Sequence, residues 1–233
     1  MQTPFVGSVE SIVGAMEARQ PTVASHCRRV SAYAVQLAIQ YGLSEGLVET
    51  LRVGGLIHDI GKLLIPTPIL LKPGRLTERQ WTTLQRHVEL GASMAEHLGF
   101  DAAVTQIVLG HHERIDGSGY PDAVTAESIP WLVRIVSVMD AFDALTSPRT
   151  YREALSIDAA RILLAREAAV RYCPWAVSGL LSLPRALLEA IAHGEVGAYQ
   201  PEGRPSADAL AGATTPWVAA MFTDPEHAAA CWA

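Results

Sequence analysis

Along most of the chain apolar positions recur every three or four residues and almost nowhere every second one, so helices rather than strands are expected. Thr22 to Gln40 carries apolar or small residues at 23, 27, 30, 34, 37, 38 and 41, with Pro21 before it and Gly42 after it. That is a start signal, an amphipathic stripe and a stop signal. A second helix is expected from about Ser44 to Gly61, with Leu47, Leu51 and His58 on one side, followed by a Pro-rich connection from Ile65 to Leu76. Thr77-Glu-Arg-Gln80 has the form of a capping box. It opens a third long helix whose stripe runs Trp81, Leu84, Val88, Gly91, Ala95 and Leu98, closed by Gly99. Asp101 is placed to cap the next helix, with Val104, Ile107, Val108 and His111 inward.

The segment 115–121 holds two glycines and a proline and must turn sharply. Pro130 to Thr146 is helical, with Val133, Val136, Asp140 and Asp143 on one stripe; Ser156 to Tyr172 is another helix, and a weaker one covers 184–193. The fold class is all-α: a helical lead-in over 1–20, one helical domain over 21–193, and a loosely structured extension over 194–233.

Composition narrows the function. Of 233 residues 49% are hydrophobic and 18% charged, which argues against intrinsic disorder. A net charge of −6 does not suit a duplex-binding protein. Cys27, Cys173 and Cys231 are odd in number and in no CxxC spacing, which points to a reducing compartment. The N-terminus has no basic stretch followed by an apolar run, and Pro66, Pro68 and Arg134 interrupt the most apolar stretches. The chain reads as soluble and cytoplasmic, without membrane contact.

Eight histidines change the picture. His26 lies between Val23 and Val30, His58-Asp59 ends the second helix, His87 follows Leu84, His111-His112 ends another helix, and Asp140 faces inward. A lone histidine of this kind is best read as a satisfied core residue. Five histidines on or beside core faces, together with two acids, would be costly to desolvate without a partner, and a cation is the least costly common one. Imidazole and carboxylate without thiolate suit iron, manganese, zinc or a similar metal. Adjacent pairs point about 100° apart on a helix, so each pair can serve two ions. Two divalent ions would activate a bridging hydroxide and clamp a phosphodiester. Lys62, Arg149 and Arg152 stand near these residues, either as ordinary solvated charge or as partners for phosphoryl oxygens.

At these residues the sequence resembles the HD-GYP family of HD-superfamily metal-dependent phosphohydrolases. The matching segments are His58-Asp-Ile-Gly-Lys62, Lys72-Pro-Gly74 with Leu76-Thr77, Arg86-His87 with Gly91, His111-His-Glu-Arg-Ile-Asp-Gly-Ser-Gly-Tyr-Pro121, and Asp140-Ala-Phe-Asp-Ala-Leu-Thr146 with Arg149, Tyr151 and Arg152. The resemblance spans about residues 20–172. It implies an HD-type helical bundle that hydrolyses the 3′–5′ phosphodiester of cyclic di-GMP to pGpG and sometimes GMP. By position, His26, His58, Asp59, His87, His111, His112 and Asp140 would hold two divalent ions, iron or manganese, with Asp59 bridging and catalytic together with Lys62. Lys62, Arg149 and Arg152 would contact the phosphates and Tyr120 the nucleotide, while Gly117, Gly119 and Pro121 would shape the loop. Asp143 would orient a ligand histidine from outside the metal shell, or be merely a helix-end acid.

The chain departs from the family pattern at three places. Thr22 stands where some members carry a third-metal glutamate, Ile115 where a tryptophan is common, and Tyr172-Cys-Pro-Trp175 where Gly-x-x-Phe-Asp-Pro is usual. Another cyclic dinucleotide, a nucleoside phosphate, or a non-catalytic nucleotide- or protein-binding module using the GYP loop are the competing readings. His97, His193 and His227 are expected at the surface and Cys27 and Cys173 as small core residues, while Trp217 and Trp232 suggest docking on the bundle or homodimerisation.

Overall fold

The computed structural model of the chain describes residues 6–148 and 153–195, and every regular element in them is helical. The helices are α1 (Val6–Arg19), α2 (Pro21–Gln40), α3 (Glu45–Ile57), α4 (Thr67–Leu70), α5 (Glu78–Gln85), α6 (His87–His97), α7 (Ala102–Gly110), α8 (Trp131–Thr146), α9 (Ile157–Glu167), α10 (Pro174–Ser182) and α11 (Arg185–Ala192). Two 3-10 turns, Ile60–Leu64 and Ala126–Ser128, complete them. Strand-like pairing among the described residues is limited to the isolated bridges Asp116–Thr125 and Ala168–Tyr172. The all-α expectation therefore holds.

Helix α2 is central because it is apolar on two sides. Val30, Tyr33, Ala34, Leu37 and Ala38 join a large core with α8, α10 and α11, built around Phe142, Met139, Trp175 and Leu188. Ala24 and Cys27 join a smaller core with Val9, Val13 and Met16 of α1, Ile57 of α3, Ala95 of α6 and Val108 of α7. Tyr33 meets Phe142 edge-on at 5.2 Å, and Tyr41 stacks on Trp175 at 4.6 Å, which ties α2 to α8 and α10.

Several boundaries differ from the periodicity, each for a local reason. The third long helix is two helices, because Arg86 (ψ −12°) interrupts the ladder between α5 and α6. The break resets the helical phase. Val88, Gly91 and Ala95 stay buried, but Trp81 and Leu98, placed on the same stripe by sequence, are 46% and 48% exposed. The capping box itself is present: Thr77 Oγ1 accepts from Gln80 N, and Gln80 Oε1 accepts from Thr77 N at 3.0 Å. Helix α3 ends at Ile57, so His58-Asp59 lies in the turn that follows it rather than in a helix running to Gly61. Helix α9 stops at Glu167 instead of Tyr172, since Ala169 adopts a left-handed φ of 62° and its N–H turns back to the Tyr172 carbonyl. Helix α10 had no sequence counterpart: it is short and mostly apolar, and its exposed side is marked only by Ser178 and Ser182.

No single helix among the described residues is long and apolar enough to cross a membrane. The pair α10 and α11 reaches that length and composition together, but with a 92° bend between them. Cys27 and Cys173 are buried as expected. Residues 196–233, with Trp217, His227, Cys231 and Trp232, lie outside the described residues.

One close approach sets the site. The 3-10 turn after Asp59 lies directly on the start of α6, and a Cβ at Gly61 would stand 1.9 Å from the His87 carbonyl oxygen and 2.6 Å from Gly91 N. Both partners are backbone and cannot swing aside. Gly61→Ala is expected to destabilise the fold by about 3 kcal/mol or more, the upper range for overpacking. Chemical denaturation would measure this, with Gly46→Ala as the control, since a Cβ at Gly46 meets nothing within 4 Å.

Candidate metal centre

Five elements deliver the inward histidines and acids to one place. His26 comes from the first half of α2, His58-Asp59 from the turn after α3, His87 from the first position of α6, His111-His112 from the end of α7, and Asp140 from the middle of α8. Of these, His58, Asp59, His87 and His111 are no more than 1% exposed.

Three of the rings share one device. Each Nδ1 hydrogen-bonds the backbone carbonyl three residues earlier: His58 to Gly55 at 2.8 Å, His87 to Leu84 at 2.7 Å, His111 to Val108 at 2.9 Å. Those carbonyls belong to the final turns of α3, α5 and α7, where backbone acceptors lack intrahelical partners. With Nδ1–H donating to a carbonyl, Nε2 is left as a lone pair turned into the cluster. The Nε2 atoms of His58, His87 and His111, and Oδ1 of Asp59, are all buried without a hydrogen-bond partner. Four buried acceptors aimed at one another are a costly arrangement for a polypeptide alone.

The donors divide into two groups. One is Asp59, His87, His111 and His112; the other is His26, His58 and Asp140, with the ligand atoms of each group within 4.8 Å of one another. Asp59 faces both. Its Oδ1 lies 3.3 Å from His87 Nε2 and 3.8 Å from His111 Nε2, while Oδ2 lies 3.6 Å from His58 Nε2 and 3.8 Å from His26 Nε2. Asp140 spans them a second time, with Oδ1 3.1 Å from His26 Nε2 and Oδ2 3.7 Å from His112 Nδ1. Imidazole nitrogens and carboxylate oxygens at these separations fit divalent metal ions. Cys27 Sγ also lies within 4.8 Å of donors on His58 and Asp59, behind the cluster.

Charges around the cluster are arranged to keep the carboxylates ionised. Burial alone would raise the Asp59 pKa, but Lys62, whose Nζ is 2.5 Å from Oδ2, and the neighbouring rings hold it well below the usual range. Asp140 is likewise held down, against its burial, by His26 and His112. Burial opposes charge on His26, but its contacts with Asp140 and Asp143 raise its pKa from 6.5 to about 9. His112 moves the other way, to about 3, because burial and the nearby His87 outweigh the pull of the acids.

Two residues escaped the sequence reading. Arg29 grips Asp143 with both ends of its guanidinium, Nε to Oδ1 at 2.6 Å and Nη2 to Oδ2 at 2.8 Å. Asp143 Oδ2 in turn contacts His26 Nδ1 at 2.7 Å, so the acid orients that ring while staying outside the donor groups. The available signal was an arginine three residues after His26 on the same helix. Glu113 is buried and accepts from the N–H groups of Asp122 at 2.7 Å, Ala123 at 3.2 Å and Val124 at 3.3 Å. It thereby folds 115–124 back on the site.

Gly117 has φ 76°, and a Cβ at Gly119 would meet the backbone of His112, Glu113 and Arg114 at 2.4–2.6 Å. The loop consequently lies against the end of α7, with the Tyr120–Pro121 bond cis and the Tyr120 ring 4.7 Å from the His112 ring. Arg149, Tyr151 and Arg152 lie outside the described residues.

A family model described as "HD domain" matches residues 12–174. The chain belongs to the HD-domain family. Among curated relatives, the cyclic di-GMP phosphodiesterase response regulator RpfG of Xanthomonas campestris pv. campestris is 40% identical over 186 residues, 79% of this chain and 49% of that protein. The cyclic di-GMP phosphodiesterase PA4108 of Pseudomonas aeruginosa is 38% identical over 74% of this chain and 40% of its own length. The 3′3′-cGAMP-specific phosphodiesterase 2 of Vibrio cholerae is 37% identical over 62% of this chain and 28% of its own length.

This HD-domain chain thus spans less than half the length of these relatives, and the resemblance to the HD-GYP branch is borne out. Among solved structures, a HDG"Y"P protein from Bdellovibrio bacteriovorus superposes with a TM-score of 0.56 at 24% identity, covering 66% of this chain and 50% of that one. The HD domain of the Listeria monocytogenes phosphodiesterase PgpH gives 0.53 at 19% identity, covering 79% and 98%. These two likenesses carry the fold.

The metal-free protein should show the His26 contacts in its pH dependence. A ring whose pKa rises on folding stabilises the fold fully below its unfolded value and not at all above its folded value. The contribution of His26 is therefore complete below about pH 6.5 and lost by about pH 9. Denaturation of chelator-treated wild type should show stability falling across that window, and His26→Ala should flatten this fall. Asp143→Asn should leave the protein folded but weaken metal affinity 10- to 100-fold, the usual scale for partners of ligand histidines, read by competition with a chromogenic chelator.

Proposed function

We propose that this HD domain hydrolyses the 3′–5′ phosphodiester of cyclic di-GMP, giving linear pGpG or GMP, at a site holding two divalent ions. The observation that carries this is the pair of carboxylates spanning two donor groups, with Asp59 presenting one oxygen to each. His26, His58 and Asp140 would hold one ion and His87, His111 and His112 the other, with Asp59 between them. Such ions, iron or manganese, supply Lewis acidity that polarises a phosphodiester and lowers the pKa of a water.

The protein's own part is positional and electrostatic. The carbonyl-anchored rings hold the donors rigid, and Lys62 lies beside Asp59 to meet phosphate charge as it develops. Arg149 and Arg152 would add further phosphate contacts. Tyr120, whose phenol is kept protonated by burial and by the nearby Asp59 and Asp140, offers a ring and a donor at the mouth. A related cyclic dinucleotide is the second reading, favoured by the curated 3′3′-cGAMP-specific phosphodiesterases of Vibrio cholerae at 37% and 36% identity.

Metal content and turnover measured on one sample test the proposal. Protein loaded with iron or manganese should carry two equivalents and convert cyclic di-GMP to pGpG faster than 3′3′-cGAMP in a mixed assay. Asp59→Ala should lose metal and lower turnover at least about a thousandfold, since it removes a residue on which both ions depend. Tight nucleotide binding without turnover in either metal would replace the enzymatic reading with that of a binding module.

A further inference from the structure

The break at Arg86 frees α5 from the core stripe, and Trp81 is the large apolar side chain it turns outward next to the site. The stripe predicts it inward, yet it is 46% exposed, a large apolar surface left in water beside the metal-donor cluster. A single exposed tryptophan is unremarkable by itself. This one continues a row. The Trp81 and Tyr120 ring centroids are 6.1 Å apart at 78°, and Tyr120 lies 4.7 Å from His112 and 6.4 Å from His87, both of them donors of the cluster. Aromatic rings therefore lead from the donors out to solvent in two short steps. Because a near-perpendicular contact occupies at most one face of the indole, the other remains free of Tyr120.

The helix that presents Trp81 is also held in place. Its first turn carries the Thr77–Gln80 capping box, and Gln80 Oε1 additionally accepts from Lys72 Nζ at 2.6 Å. The connection before α5 is thus pinned to the residue next to Trp81 in sequence. A flat π surface one ring beyond the metal-donor cluster suits a purine base attached to a phosphate held there. Resting on the proposed cyclic dinucleotide activity, we infer that Trp81 stacks on a guanine of the substrate and so sets affinity for the dinucleotide rather than the rate of bond cleavage.

Steady-state kinetics of the metal-loaded wild type, Trp81→Ala and Trp81→Phe on cyclic di-GMP separate these roles. Trp81→Ala should raise KM about tenfold, within the usual worth of one base–aromatic stack, with kcat, bound metal and thermal midpoint unchanged. Trp81→Phe should restore most of the affinity. A phosphorothioate analogue of cyclic di-GMP should quench tryptophan emission in the wild type and quench it less in Trp81→Phe. An unchanged KM in Trp81→Ala would overturn the inference, and so would a loss of metal or kcat at constant KM, which would mark a structural role. Wild-type protein that binds metal but turns over no cyclic dinucleotide would instead overturn the proposed function on which the inference rests.

Discussion

A carboxylate that is 1% exposed must be compensated on every side, and Asp59 is the group around which this fold is organised. Removing it from water would push its pKa up, so its ionisation depends on Lys62 and on rings from α2, α6 and α7 as well as from its own turn. These contributors lie far apart in sequence. Each must be delivered by a separate helix, which is why five elements converge here. The close approach of Gly61 to the His87 carbonyl follows from the same need, since any side chain at that position would hold α6 and its histidine away from the carboxylate.

Helix ends solve two problems with one contact. The last carbonyls of a helix have spare acceptor capacity, and at the ends of α3, α5 and α7 a histidine three residues on meets one of them through Nδ1. The same contact removes the choice of tautomer and aims Nε2 inward. A helix interior would not serve as well, because its carbonyls are already engaged. The ends place three lone pairs at one focus without extra chain, and they leave those lone pairs with no protein partner. That deficit distinguishes a metal centre from a core histidine cluster, in which rings would donate to one another or to hydroxyls.

Much of this was legible in the sequence, and its failures have physical causes. The helices with clean caps and stripes, α2 and α8, were placed nearly to the residue, because Pro21, Gly42 and Pro130 punctuate an unambiguous period. The gathering of His26, His58, His87, His111, His112 and Asp140 followed from inward phase together with the family motifs. Phase is lost wherever a helix is interrupted, and no residue type at Arg86 announces the break between α5 and α6. Helix α10 marks its exposed side with only two serines, Ser178 and Ser182, too few to reveal a period. Arg29 and Glu113 were missed for a different reason. Their roles depend on partners in three dimensions, Asp143 on α8 and the backbone at 122–124, and charged residues on helices and loops are by default solvated.

Disagreement between stripe and burial is itself informative. Within one helix, apolar residues that share a phase share a fate, so an apolar residue turned outward needs either a broken phase or a ligand. Leu98, at the C-cap of α6, is accounted for by its position alone, since the helix ends there and Gly99 turns the chain away. Trp81 lies inside α5, which has no buried residue of its own, so the broken phase leaves it outside the core and against Tyr120. The net charge of −6 then ceases to conflict with an anionic substrate. Global charge governs long-range approach, whereas the field at the donor cluster is set locally by Lys62 and by any cation the donors hold.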